Sequence, residues 1–404
     1  MTTRSDYQTE TPPADSRRLR ARIRTQRPTR RRFWARRIGA LMLVFLIWLT
    51  WSLGGALMAP GTDTTTAKLA EWARFNGMGW AVDELEQIQY QLDPPKVGGR
   101  LAGGIPELAK TRAIPNPGAG SPQKSPGLAV LAALAPIPVQ ARPALPEEGV
   151  WQTLVSLHGR PAIRAAFLRP DSQHTSYLVG VAWLDQKLVS MVLHPGYSVP
   201  GGSGWSQPFY VPTSRRDALL ATFNSGFTMQ DNNGGYWQDG QSASPLRQGA
   251  ASMVLYKDGH VDVLKWNGAA PGPEVAAVRQ NLGMLVEGGK ISADVNSTTT
   301  RTWGKTVGNT TFVWRSALGV RKDGSLVFVV GASMSVPTLA NIVRDAGAVD
   351  AMELDINKAW TNFMTYTHPS AGVAVPHMLT KDAHPNPYRY LQPSSRDFVA
   401  VSAR

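Results

Sequence analysis

Two carboxylates, Glu353 and Asp355, stand two residues apart in "AVDAMELDINKAW", Ala348 to Trp360, where Val349, Ala351, Met352 and Leu354 are apolar. Carboxylates are rarely placed among such residues unless something pairs with them or uses them. In a strand, residues two apart share a face, which would point both side chains the same way with Cα atoms about 6.5–7 Å apart. Paired carboxylates at that separation suit glycosyl transfer to water, where one stabilises or attacks and the other moves protons. Asn357 continues on that face if the extended backbone persists. Spacing alone favours the plainer alternative, a salt-bridged Glu353 and an Asp355 that starts a turn with Asn357.

Two other stretches could do chemistry. "LLATFNSGFTMQ", Leu219 to Gln230, reads as a strand ending in Asn224-Ser225-Gly226-Phe227. Asn224 carries a donor and an acceptor suited to sugar hydroxyls, and Gly226 permits close approach of a ligand to the backbone. The alternative is an ordinary capped turn. The polar, aromatic run Asp231–Gln241 that follows, with Trp237, is either a substrate loop or a surface turn. In "FVWRSALGV", Phe312 to Val320, Arg315 sits at the mouth of an apolar strand. A guanidinium there can grip a phosphate with two parallel hydrogen bonds, or neutralise Glu353 or Asp355. The chain has no phosphate-cradling glycine loop with lysine, no dinucleotide fingerprint and no G-x-S-x-G elbow. His384 in "HPNP" reads as a surface turn more readily than as a catalytic imidazole. The chain has no cysteine, and no two of its seven histidines have metal-binding spacing. No cofactor is implied, with a divalent cation at the carboxylates left open.

The elements that must position these residues are mostly strands. "PAIRAAFLRPD" and "SYLVGVAWLDQKLVSMVLHPG" read as strands, and "ASMVLYKDGHVDVLKW" and "SALGVRKDGSLVFVVG" as hairpins turning at Asp258-Gly259 and Asp323-Gly324. Ser335 can cap a helix over "VPTLANIVRDAG", with Pro337 in the first turn and Gly347 at the exit. That helix delivers the chain into a strand over Val349–Leu354, which leaves Asp355 at the strand's C-terminal end. The expected class is α+β: a β-rich mixed sheet domain with a few packed helices, over 150–404.

In order, these motifs resemble the phosphodiester glycosidase family, a domain found in the lysosomal uncovering enzyme and in exported bacterial proteins. Asn224-Ser225-Gly226-Phe227 is similar to the family's N-G-G-[FY] element. Arg315-Ser316-Ala317-Leu318-Gly319 with Asp323-Gly324-Ser325-Leu326 is similar to its R-[TS]-A-[IL]-G strand and D-G turn. Ala351-Met352-Glu353-Leu354-Asp355 is similar to the start of its A-x-x-L-D-G-G-G-S element, with Ile356-Asn357-Lys358 where the family has glycines and serine. "VRQNLGMLVEGG", Val278 to Gly289, resembles the segment before the arginine strand. The resemblance implies cleavage between an anomeric carbon and a phosphodiester oxygen. Asp355 would be nucleophile or electrostatic stabiliser, Glu353 acid or base, and Arg315 the phosphate holder. Asn224, with Gly226 and Phe227, would bind the sugar, Asn357 and Lys358 would line the pocket, and Trp360 or Trp237 would stack on a sugar face.

The remaining sequence concerns placement. The net charge is +13, but residues 1–37 hold twelve arginines against three acids, so +9 of it lies in that arm. Ile38–Ala59 follows, uncharged and long enough to cross a bilayer. Arginines directly before an apolar span hold that end in the cytoplasm. The expected order is a disordered basic cytoplasmic arm (1–37), a transmembrane signal anchor (38–59), a juxtamembrane helix (60–92), a Pro/Gly/Ala-rich linker (93–149) and an extracytoplasmic domain. The expected partner is a phosphorylated glycan or cell-wall polymer of the envelope. The alternatives are a non-catalytic anionic-glycan binding or polysaccharide-assembly protein and, ranked below it, a tethered nucleic-acid binder that uses the arginines.

Overall fold

The computed structural model describes residues 30–108, 134–232, 234–297, 300–304, 311–382 and 386–404. Most of the basic arm, the middle of the linker and His384 lie outside the described residues. Two compact units are present, Met1–Gly55 and Ala56–Arg404.

Helix α1 (Arg30–Leu57) dominates the first. Its 25-residue part Phe33–Leu57, with an 18-residue stretch of mean hydropathy 2.0, is long and apolar enough to cross a membrane. The second unit opens with two helices, α2 (Thr65–Phe75) and α3 (Gly79–Leu92), in place of the single helix expected over 60–92. Gly77, at φ 76°, takes the left-handed conformation that ends α2. Thr64 caps α2 by accepting from the Ala67 N–H. The short helices α4 (Met229–Asn232) and α5 (Thr300–Trp303) lie within the strand-rich part.

Strands dominate that part, and every strand ladder among the described residues is antiparallel. The largest sheet has eight strands. At its centre Leu326–Met334 pairs with the arginine strand Val313–Arg321, which pairs in turn with the carboxylate strand Ala348–Asp355. Two five-stranded sheets complete the domain. One places Leu219–Asn224 beside Phe363–Ser370 and Phe398–Ala403. The two runs either side of Asp185 do not pair with each other: Val179–Leu184 joins the eight-stranded sheet and Val189–His194 a five-stranded one.

The hairpins at Asp258-Gly259 and Asp323-Gly324 form as the turn chemistry dictates. Helix α6 (Val336–Asp345) is capped by Ser335, whose hydroxyl accepts from the Thr338 N–H at 3.1 Å. Its buried face, Leu339, Ile342 and Val343, packs on one side of the eight-stranded sheet with Ala317 and Ala351. The other side of that sheet supplies Leu318, Met352 and Leu354 to the larger core. Alternation along the carboxylate strand therefore turns Glu353 and Asp355 away from Met352 and Leu354. An extra residue on this strand between the pairs Ala317–Glu353 and Ser316–Asp355 forms a bulge that ends the ladder at Asp355.

Candidate functional site

Asp355 is 3% exposed and lines a cavity of about 700 Å³ that α2 and α3 wall on one side. Its Oδ1 accepts from the backbone N–H groups of Ile356 (2.7 Å) and Asn357 (3.0 Å), so it does begin a turn. The same bonds hold the carboxylate at the cavity wall. Its backbone N–H donates to Ser316 Oγ at 3.2 Å, and Asn224 Nδ2 donates to that hydroxyl at 3.0 Å. Burial pushes the Asp355 carboxyl up to about 6, against the opposing pull of Arg396 and the two backbone bonds.

Glu353 is sealed beneath. Its Oε1 accepts from Arg315 Nη1 at 2.6 Å, and Oε2 has no hydrogen-bond partner. Burial raises its carboxyl to about 7 despite the guanidinium. Arg315 is spent in the interior: Nε donates to the Met334 carbonyl at 2.8 Å and Nη2 faces the Thr311 carbonyl at 3.4 Å. It is 2% exposed and does not line the cavity, so the expected phosphate grip gives way to the neutralising pair.

Three further expectations change. Asn224 is buried, donating to Ser316 and accepting from the Asn362 N–H at 3.1 Å, so it positions Asp355's neighbour and offers nothing to a sugar. Gly226 is needed for close approach, but by the protein itself: a Cβ there would lie 2.6 Å from both amide atoms of Asn281. Trp237 packs in a separate cluster with Val254 and Trp266, away from the cavity. Phe227, Asn357, Lys358 and Trp360 do line it.

Other residues of the site were not singled out in the sequence. Arg396 lines the cavity at 6% exposure, its Nε donating to Glu71 Oε1 of α2 at 2.7 Å. Neither terminal nitrogen of Arg396 has a hydrogen-bond partner among the described residues. Its guanidinium stacks on Trp360 at 4.5 Å, and Arg389 packs on the same ring system at 4.6 Å. The neighbouring Asp397 is fixed by Arg279 Nε at 2.5 Å, and Arg279 also donates to the Phe227 carbonyl. One arginine thus ties the Arg396 turn to the exit of the Asn224 strand. Asn281 joins the same region to the carboxylate strand, donating to the Glu353 carbonyl at 3.1 Å and accepting from the Phe227 N–H at 3.2 Å. It lies in Val278–Gly289, whose resemblance to the family was the available clue. Ser333, at the cavity wall, is held at φ 52°, a strained conformation of the kind that gathers at functional sites.

Six carboxylates line the cavity (Glu71, Asp83, Glu86, Asp93, Asp231 and Asp355) against three cations, Arg74, Arg396 and Lys358. Arg74 is committed to Glu86 and Asp83. Arg396 is paired through Nε with Glu71, which leaves its terminal nitrogens and Lys358 to meet an anionic ligand. Among the described residues no group of three or more histidine or acidic side chains is placed to hold a metal ion.

The β-rich domain thus brings a desolvated carboxylate, Asp355, and a buried guanidinium, Arg396, to one cavity. Residues 217–355 match the model of the phosphodiester glycosidase family, and Asp355 is the last residue matched. The match falls on the segment whose motifs resemble that family. No curated protein matches the chain. A hypothetical protein from Synechocystis aligns in structure at 13% identity and TM-score 0.34, over 63% of this chain and 64% of that one. A protein from Burkholderia pseudomallei described as exported aligns at 12% identity and TM-score 0.32, over 58% of this chain and 75% of that one.

Proposed function

We propose that the chain is a membrane-anchored hydrolase that cleaves a sugar-1-phosphodiester in an extracytoplasmic glycan. The observation that carries this reading is that Asp355 and Arg396 line one cavity in a phosphodiester glycosidase-like domain. Water adds to the anomeric carbon as the bond from that carbon to the phosphate oxygen breaks, and the phosphate leaves as a monoester. Such a leaving group needs little protonation, so the site has chiefly to stabilise an oxocarbenium-like centre. Asp355 does so as its anion, directly or by attack. Arg396 and Lys358 meet the phosphate, and Trp360, on whose ring system Arg396 and Arg389 both pack, holds the Arg396 guanidinium in place. Glu353, sealed behind Arg315, tunes the field at Asp355 and does not reach the substrate. The 25-residue apolar helix supports anchoring, and the arginines before it support a cytoplasmic N-terminus.

The test is turnover of sugar-1-phosphodiesters by the full chain in detergent. Activity should rise with pH through about 6 as Asp355 ionises, and Asp355→Asn should abolish it. Undiminished turnover by Asp355→Asn would sink the assignment. Retention of anionic glycans with no turnover across a broad phosphodiester panel would favour the second reading, a binding or assembly protein. That alternative draws on Ile356-Asn357-Lys358, which puts bulk and a cation where the family has glycines.

A further inference from the structure

The segment before the linker reaches into the site with its acids. Glu71 of α2 sits 2.7 Å from Arg396, and Asp63, just before α2, sits 2.7 Å from Arg389 Nη2 and accepts from Ser395 Oγ at 2.5 Å. The two arginines pack on Trp360. Every layer of this stack is buried: Arg389 is 2% exposed, Trp360 5%, Arg396 6% and Glu71 9%. A buried guanidinium needs an anion, because an unpaired charge there is costly. The anion comes here from a helix outside the family-matched segment, while the terminal nitrogens of Arg396, a residue of the cavity lining, donate to none of the described residues.

We propose that the Arg396 guanidinium is a phosphate-binding subsite and that Glu71 is its built-in competitor, a carboxylate standing where part of the ligand's anionic group belongs. Helix α2 then acts as a movable stopper. A phosphate monoester or diester entering the cavity takes over Arg396 and releases Glu71, and α2 loosens. Glu71 takes only Nε, through one oxygen, whereas a phosphate can take paired donors of the guanidinium fork. The acidic lining sharpens the selection. With six carboxylates present, an anion gains entry only where it inherits the Arg396 contact. The helical hairpin thereby sets a threshold for ligand binding, and anything that draws α2 away would open the site. The inference rests on the cavity taking an anionic ligand and not on turnover.

The experiment is calorimetric titration of glucose 1-phosphate into the full chain in detergent, comparing wild type with Glu71→Gln, Arg396→Gln and the double variant. Glutamine keeps the shape and an acceptor for Arg396 but removes the competing charge. Glu71→Gln should bind about tenfold more tightly than wild type, and Arg396→Gln should erase that gain in the double variant. Equal or weaker binding by Glu71→Gln, or a gain that survives loss of Arg396, overturns the proposal. Hydrogen exchange on the wild-type chain supplies a readout free of substitution. Saturating glucose 1-phosphate should speed exchange across 65–75, and slower exchange there would overturn the stopper as well. Tighter binding without turnover of any phosphodiester would retain this inference while the hydrolase reading fails.

Discussion

Replacing Asp355 by asparagine should remove activity and add stability, and the two effects should part company with pH. The folded carboxyl titrates near 6 because it is desolvated, whereas the unfolded chain releases that proton near the ordinary value of 3.8. Between those values the folded state holds a proton that the unfolded state lacks, so stability falls as pH rises. The loss begins above about pH 4 and is complete once pH has passed through the folded value. A difference of about two pH units corresponds to about 3 kcal/mol. The substituted side chain would keep the acceptor for the Ile356 and Asn357 N–H groups, at 2.7 and 3.0 Å, and shed the titratable charge. The variant should therefore match wild type at pH 4 and exceed it by up to about 3 kcal/mol at pH 8. Denaturant unfolding of both proteins at several pH values measures this directly. A difference between them that stays constant from pH 4 to 8 would refute the desolvated acid, and with it the assignment of the activity's rise near pH 6 to this group.

Three further outcomes follow from the site. Arg315→Met leaves Glu353 buried without its 2.6 Å partner and should cost about 3–5 kcal/mol at pH 8. Adding Glu353→Met should recover most of that, whereas a folded Arg315→Met protein with only a raised KM would return Arg315 to the phosphate. Gly226→Ala should cost about 1–3 kcal/mol, read as a lowered unfolding midpoint, because its Cβ meets the buried, hydrogen-bonded Asn281 amide. Trp360→Ala should weaken binding of a sugar phosphate, and Trp237→Ala should leave it unchanged; equal effects would mean that the ring in the separate cluster also reaches the ligand.

The strand ends were legible because local chemistry dictates them. Asp-Gly turns, the Ser335 cap with Pro337 behind it, and apolar runs of strand length place Leu219–Asn224, Val313–Arg321 and Ala348–Asp355 from residue types alone. The same runs followed the motif order of a known family, and the structure pairs the carboxylate strand with the arginine strand. Roles were a different matter. Asn224, Gly226 and Arg315 stand in the same set of motifs as Phe227 and Asp355, yet packing turns the first three inward and leaves the last two at the cavity. A guanidinium has the same fork whether it meets a phosphate or Glu353, and only the register of two strands settles which it meets.

Sequence by itself determined the apolar helix, the β-rich class and the strand that ends at Asp355, because each rests on neighbours within a few residues. The tertiary structure alone decided what faces that aspartate. Arg396 and Glu71 come from opposite ends of the second unit, and neither carries a local pattern that sets it apart. They meet because buried charges must find partners and because the fold brings α2 against the turn before the last strand.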